Sequence, residues 1–184
     1  MSADEPVRLE LYVRSLHAAQ AHGRQDAVIE RLNALEDAGV IDEYQLVVWG
    51  RQAPASPAEA HTDAGVFTLN RVAVFSEWAA ANEFSVDEHF EQRSVDSSMA
   101  GESYQAVRFP VMTLAEYHGQ DLAFVAPATR ANGTHSVGDR LDTIEATPRA
   151  GERAAEFTTL DHAYSEPPHQ LTLTDPNDPD LTNP

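Results

Sequence analysis

Val7-Arg8-Leu9-Glu10-Leu11-Tyr12-Val13 opens the stretch on which the fold turns, and Tyr44-Gln45-Leu46-Val47-Val48-Trp49-Gly50 closes it. In the first segment Val7, Leu9, Leu11 and Val13 alternate with Arg8, Glu10, Tyr12 and Arg14. That period of two is the mark of a half-buried strand. After the loop Ser15–Gly23, Val28, Leu32 and Leu35 recur at helical spacing with Ile29 beside them, and Gly39 supplies the left-handed stop. The closing segment is apolar on both faces at its end, as a strand covered on both sides of a sheet would be. Strand, helix and strand of these lengths, joined right-handedly, give two parallel neighbours with the helix packed over them.

At 184 residues the chain suits one domain, here expected over residues 1–146, with an acidic, Pro-rich disordered tail over 147–184. The net charge of −18 arises from 30 acidic and 12 basic residues, and every basic residue is Arg. Such a surface repels itself unless salt screens it, over roughly 3 Å at 1 M. We read it as a salt-in halophile's adaptation, which makes the charge weak guidance to partners. It still argues against nucleic acid, whose phosphates are met mainly by basic side chains. Cysteine is absent, excluding disulfides, thiol catalysis and thiolate metal sites. With no apolar run near ~20 residues and no signal-like start, the expectation is a cytoplasmic protein with no membrane partner.

Further along, Leu69, Val72, Phe75 and Ala79 form one stripe, widened by Val74 and Trp78, and predict a buried helix from Phe67 or Leu69 to Asn82. Ser85–Gly101 reads as irregular, with a short strand around Phe90–Val95. Val107, Phe109 and Val111 alternate, Pro110 interrupts, and Met112–Tyr117 continues to the turn His118-Gly119-Gln120-Asp121, from which Leu122–Val125 returns as a hairpin. Ser136-Val137-Gly138-Asp139 is a helix start signal, and Val137, Leu141 and Ile144 follow at helical spacing.

Strand, helix, strand, helix, strand, strand, helix, with Pro110 at the entry of the third main strand, resembles the thioredoxin-like fold. The expected class is therefore α/β, a thioredoxin-like βαβαββα sandwich with a mixed central sheet. The resemblance covers Val7–Ile144 and implies a cis bond at Phe109–Pro110, facing the loop that carries a redox cysteine pair in that family. Here the loop reads Ser15-Leu16-His17-Ala18-Ala19-Gln20-Ala21-His22-Gly23, so redox catalysis is excluded. Leu11-Tyr12-Val13 also looks like the opening strand of the thioredoxin-like clock protein family KaiB. At whole-chain level, Leu9–Leu16, Gln25–Leu32 and Val48-Trp49-Gly50 are similar to a family of small acidic haloarchaeal proteins often labelled helix-turn-helix domain proteins.

The resemblance places the partner-binding residues at Ser15, Leu16, His17, Phe109 and Pro110, where backbone groups near Phe109 would pair with an extended peptide. The leading expectation is a non-catalytic protein- or peptide-binding module. The alternatives are a transcription-associated DNA binder and an enzyme using loop histidines. Leu32–Ile41 matches a winged-helix ending, but a Gly-capped helix followed by a strand gives the same string, and Glu30, Glu36 and Asp37 are poor readers of bases. His17, His22, His61 and Asp63 match no metal spacing, so no metal or cofactor is expected. Glu88-His89 and Asp161-His162 are neighbours that would face opposite ways on strands. No Gly-x-Ser-x-Gly, Walker-type or Gly-x-Gly-x-x-Gly sequence occurs, and catalytic residues are not assigned. Trp49, Phe75 and Trp78 read as core.

Overall fold

A strand buried on both faces anchors the architecture. The computed structural model describes residues 5–16, 22–97, 101–169 and 171–172. The elements are β1 (Val7–Val13), α1 (His22–Asp37), β2 (Glu43–Val48), β3 (Gln52–Pro54), α2 (Asp63–Ala81), β4 (Glu91–Ser97), β5 (Glu102–Arg108), β6 (Met112–His118), β7 (Asp121–Ala126), β8 (Ala128–Arg130), β9 (Gly133–His135), α3 (Val137–Ala146) and α4 (Ala150–Ala154). The main sheet has the order β2-β1-β6-β7, with β1 parallel to β2 and antiparallel to β6, and β6 antiparallel to β7. It is a mixed sheet in an α/β protein, as expected. A three-stranded sheet, β3-β5-β4, and the ribbon β8-β9 are additions to the expected element order.

Alternation along β1 sends Leu9, Leu11 and Val13 to one face and Glu10 and Tyr12 to the other. The first face is covered by α1 and α3, which are tied together where Arg31 meets Asp142 at 2.6 Å and Glu145 at 2.7 Å. The second face is covered by α2, whose Arg71 reaches Tyr12 at 2.7 Å. Both faces of β1 are buried, so it is not half-buried: its polar alternates sit under α2 rather than in water. Trp49, Phe75 and Trp78 are core, Trp49 stacking on Phe109 with ring centroids 4.6 Å apart.

Local signals explain the helix limits. α2 starts at Thr62, whose hydroxyl accepts from the Gly65 N–H, and α3 starts with a complete capping box between Ser136 and Asp139. Gly39 (φ 67°) ends the α1 turn and Ile41 returns into the core before β2, so Leu32–Ile41 is the helix-to-strand half of a βαβ unit.

Two expectations require correction. The alternation Val107-Phe109-Val111 is not one strand. β5 ends at Arg108, β6 begins at Met112, and Phe109-Pro110-Val111 is the corner where the chain passes from the small sheet to the main one. Pro suits that corner because it has no N–H to contribute to either ladder. The described residues after Thr147, 148–169 and 171–172, include a helix and contacts with the main sheet, so the boundary at 146 does not mark the end of packing. α4 follows, the Leu160 N–H bonds the Leu122 carbonyl on β7 at 2.9 Å, and the Val48 N–H on β2 bonds the Leu171 carbonyl at 2.7 Å.

Candidate functional site

The carboxyl end of β1 delivers Arg14, and beside it stands the Phe109–Val111 corner. The Arg14 N–H reaches the Val111 carbonyl at 3.4 Å, and its guanidinium donates to the Phe109 carbonyl, from Nε at 2.6 Å. Ser15 and Leu16 follow directly, both half-buried, with Leu16 packed on the core. Arg14 thus stands at the corner of Phe109 and Pro110, with Ser15 and Leu16 next to it in sequence, while His17 lies outside the described residues. Carboxyl ends of strands are the usual place for a site in an open α/β sheet.

The corner's chemistry differs from expectation. The Phe109–Pro110 bond is trans, and the cis bond falls at Ala126–Pro127. Phe109 is fully buried, its N–H donating to the Arg51 carbonyl at 2.9 Å and its carbonyl taken by Arg14. Neither backbone group is free to pair with a peptide. What the corner offers instead is side-chain surface. Pro110, Val111 and Met112 form one wall of a groove of about 460 Å³, facing Ala27 and Val28 of α1 and Val137 of α3. Among the described residues Val111 is one of two large hydrophobic residues left exposed, at 44%. A larger concavity of about 730 Å³, beside Asp42 and α4 at the other end of β1, is lined mostly by polar and small groups.

The histidine candidates do not assemble. His61 is exposed, Asp63 opens α2, and among the described residues no group of three His, Asp or Glu could hold a metal. Glu88 and His89 lie in a turn rather than a strand, which brings Glu88 Oε1 within 3.8 Å of His89 Nε2. That nitrogen also meets the Thr129 hydroxyl at 3.0 Å, and burial lowers the imidazole's pKa against the pull of Glu88. His162 donates its backbone N–H to Asp121 at 2.9 Å and makes no ion pair with Asp161 among the described residues.

Two buried charge networks escaped sequence reasoning. On the α2 face Glu10 accepts from Arg71 and from the Tyr12 hydroxyl, and Arg71 also donates to the carbonyls of Ala163 and Ser165. On the opposite face Glu116 meets His118 at 2.8 Å, Arg153 at 3.1 Å and Arg140 at 2.7 Å. Glu116 and His118 share a strand face two residues apart, a weak signal; the arginines come from α3 and α4, which no spacing rule links to them.

Over residues 1–149 the sequence matches the model of a family described as a helix-turn-helix domain. The chain belongs to this helix-turn-helix family. No curated protein and no solved structure matches it. Within the matched residues α1, α2 and α3 are each separated by strands, so the described residues there contain no helix pair joined by a three- or four-residue turn. α3 and α4 are close in sequence, but α4 begins beyond the match, and its Arg153 is buried on Glu116. The family's description and the element order are therefore in tension.

Proposed function

We propose that this member of the helix-turn-helix family is a non-catalytic protein- or peptide-binding module, built on a thioredoxin-like scaffold and working in a salt-rich halophile cytoplasm. The scaffold reading is supported by the strand order β2-β1-β6-β7, with α1 and α3 on one face and α2 on the other. The trans Pro110 departs from it. The observation that carries the binding reading is the apolar groove at Pro110–Met112, where an exposed Val111 lies at the carboxyl end of the sheet. Contiguous apolar surface in a concavity is the usual character of a recognition site. The mode is side-chain insertion, because the backbone at Phe109 is already bonded.

Affinity capture in molar salt with the wild type and with Val111→Asp tests the assignment. Val111 is exposed, so the substitution leaves the core intact. Partners retained by the wild type and lost from Val111→Asp are the expected result; equal retention removes the groove from consideration.

The family's description favours one other reading, a transcription-associated DNA binder. Sequence-selective protection of duplex DNA at micromolar protein would establish it; we expect none, since α1 presents Glu30, Glu36 and Asp37 to solvent, and these oppose phosphate.

A further inference from the structure

Pro110 is a wall shared by two concavities. On one side lies the apolar groove, with Arg24 at its rim; on the other lies a pocket of about 290 Å³ lined by Arg14, His89, Arg108 and Phe109, with Glu88 and Glu91. Arg51 stands at the same end of the sheet, its carbonyl holding the Phe109 N–H. Several arginines elsewhere are neutralised closely, Arg8 by Glu43, Arg31 by Asp142 and Glu145, and Arg71 by Glu10, while Arg93 and Arg130 make no ion pair among the described residues. Among the described residues Arg14, Arg24 and Arg51 make no ion pair with a carboxylate, and Arg108 reaches Glu91 only at 4.0 Å. Burial and the like charges of Arg108 and Arg51 lower the Arg14 pKa, with Glu91 opposing.

In a chain of net charge −18 this local excess of cation is a feature that an anion would relieve. Glu88 and Glu91 on the same rim oppose a polyanion, so a single negative charge fits better than a nucleic-acid backbone. In an extended segment, side chains two residues apart share a face and stand roughly 7 Å from each other, a spacing suited to straddling one proline ring. Resting on the binding-module reading, we propose that the Pro110 site takes an extended peptide carrying an aliphatic side chain and, two residues away, a carboxylate: the first enters the groove at Val111, and the second meets Arg108, Arg51 and Arg14. In molar salt, repulsion between an acidic partner and the acidic surface is screened beyond about 3 Å, so direct contacts of this kind govern the choice.

The test uses two pools of eight-residue peptides, randomised except for a central Leu-Ala-Asp or Leu-Ala-Asn, added to the full isotope-labelled chain in molar salt. The expected result is movement of the Val111 and Val137 amide resonances with both pools, and of Arg108 with the Asp pool. Binding should be about fivefold or more weaker for the Asn pool, and equally weakened for the Asp pool when exposed Arg51 and Arg108 are both changed to Gln. Equal binding of the two pools overturns the carboxylate preference while leaving the groove as a binding site. Stationary Val111 and Val137 with both pools overturn the groove and the preference together.

Discussion

Glu10 and Glu116 are both fully buried carboxylates on one sheet, in adjacent antiparallel strands, yet their surroundings drive them in opposite directions. Burial pushes the Glu10 carboxyl above its ordinary value, and Arg71, the Tyr12 hydroxyl and the charge of Arg8 do not offset it. Burial acts on Glu116 as well, but His118, Arg140 and Arg153 together overcome it and hold the carboxyl at about 2. Direct hydrogen bonds and ion pairs from three side chains outweigh burial at Glu116, and those at Glu10 do not. The same comparison shows what each network holds in place: Glu10 and Arg71 anchor a stretch of backbone at Ala163 and Ser165, whereas Glu116 fastens α3 and α4 to β6.

Removing Glu116 should produce the largest effect. Glu116→Gln leaves two buried guanidiniums facing each other without a counter-charge, and removal of one partner from a buried ion pair costs about 3–5 kcal/mol. Chemical denaturation in molar salt measures it; a loss under ~1 kcal/mol would mean the cluster is hydrated and open.

Acid should separate the two sites next. Glu116 has a folded pKa below its ordinary 4.5, so its contribution is complete above 4.5 and is lost as pH falls toward about 2. A difference of that size corresponds to about 3 kcal/mol. Glu10 is raised, so its contribution has the opposite sense: present below the ordinary value and lost as pH rises through its folded pKa. Carboxyl carbon titration by NMR should place the two on opposite sides of an ordinary glutamate. Titration on the same side would break the contrast.

Glu10→Gln should cost less than Glu116→Gln, about 1–2 kcal/mol, because Arg71 keeps the Tyr12 hydroxyl and two backbone carbonyls as acceptors. An equal or larger loss would show that the carboxylate, not the carbonyls, holds Arg71. The smallest effect belongs to the exposed pairs. Arg31→Gln breaks the links from α1 to Asp142 and Glu145 and should cost at most ~1 kcal/mol, shrinking as salt rises. The melting temperature of the whole chain should move the other way, falling as salt is lowered from molar to ~0.1 M; a constant value would contradict the halophile reading.

The βαβ opening, the hairpin and the capping box at Ser136 were legible because each rests on local periodicity or a local hydrogen bond. β4 was legible only as a short strand around Phe90–Val95, and its pairing with β5 was not, since Arg93, Ser94, Asp96, Ser103 and Gln105 carry no apolar alternation. Glu10 was read as a solvent-facing alternate because strand spacing cannot reveal that Arg71, sixty-one positions later, covers it. At the candidate site, element order pointed to the Pro110 corner, but the trans bond there and the occupation of the Phe109 carbonyl by Arg14 depend on partners distant in sequence.

Leu160 pairs with Leu122 on β7 and Thr172 with Val47 on β2, and between them the carbonyls of Ala163 and Ser165 accept from Arg71, so this part of the chain reaches both margins of the main sheet. These residues are synthesised after every strand they bind. During translation, then, both sheet margins remain open templates until the segment emerges, and it acts as a late-arriving belt rather than as a linker. A ribosome-stalled chain ending before Leu160 should exchange its β2 and β7 amides with solvent and self-associate, whereas one extended past Thr172 should do neither; equal exchange in the two would show that the margins are protected without the belt.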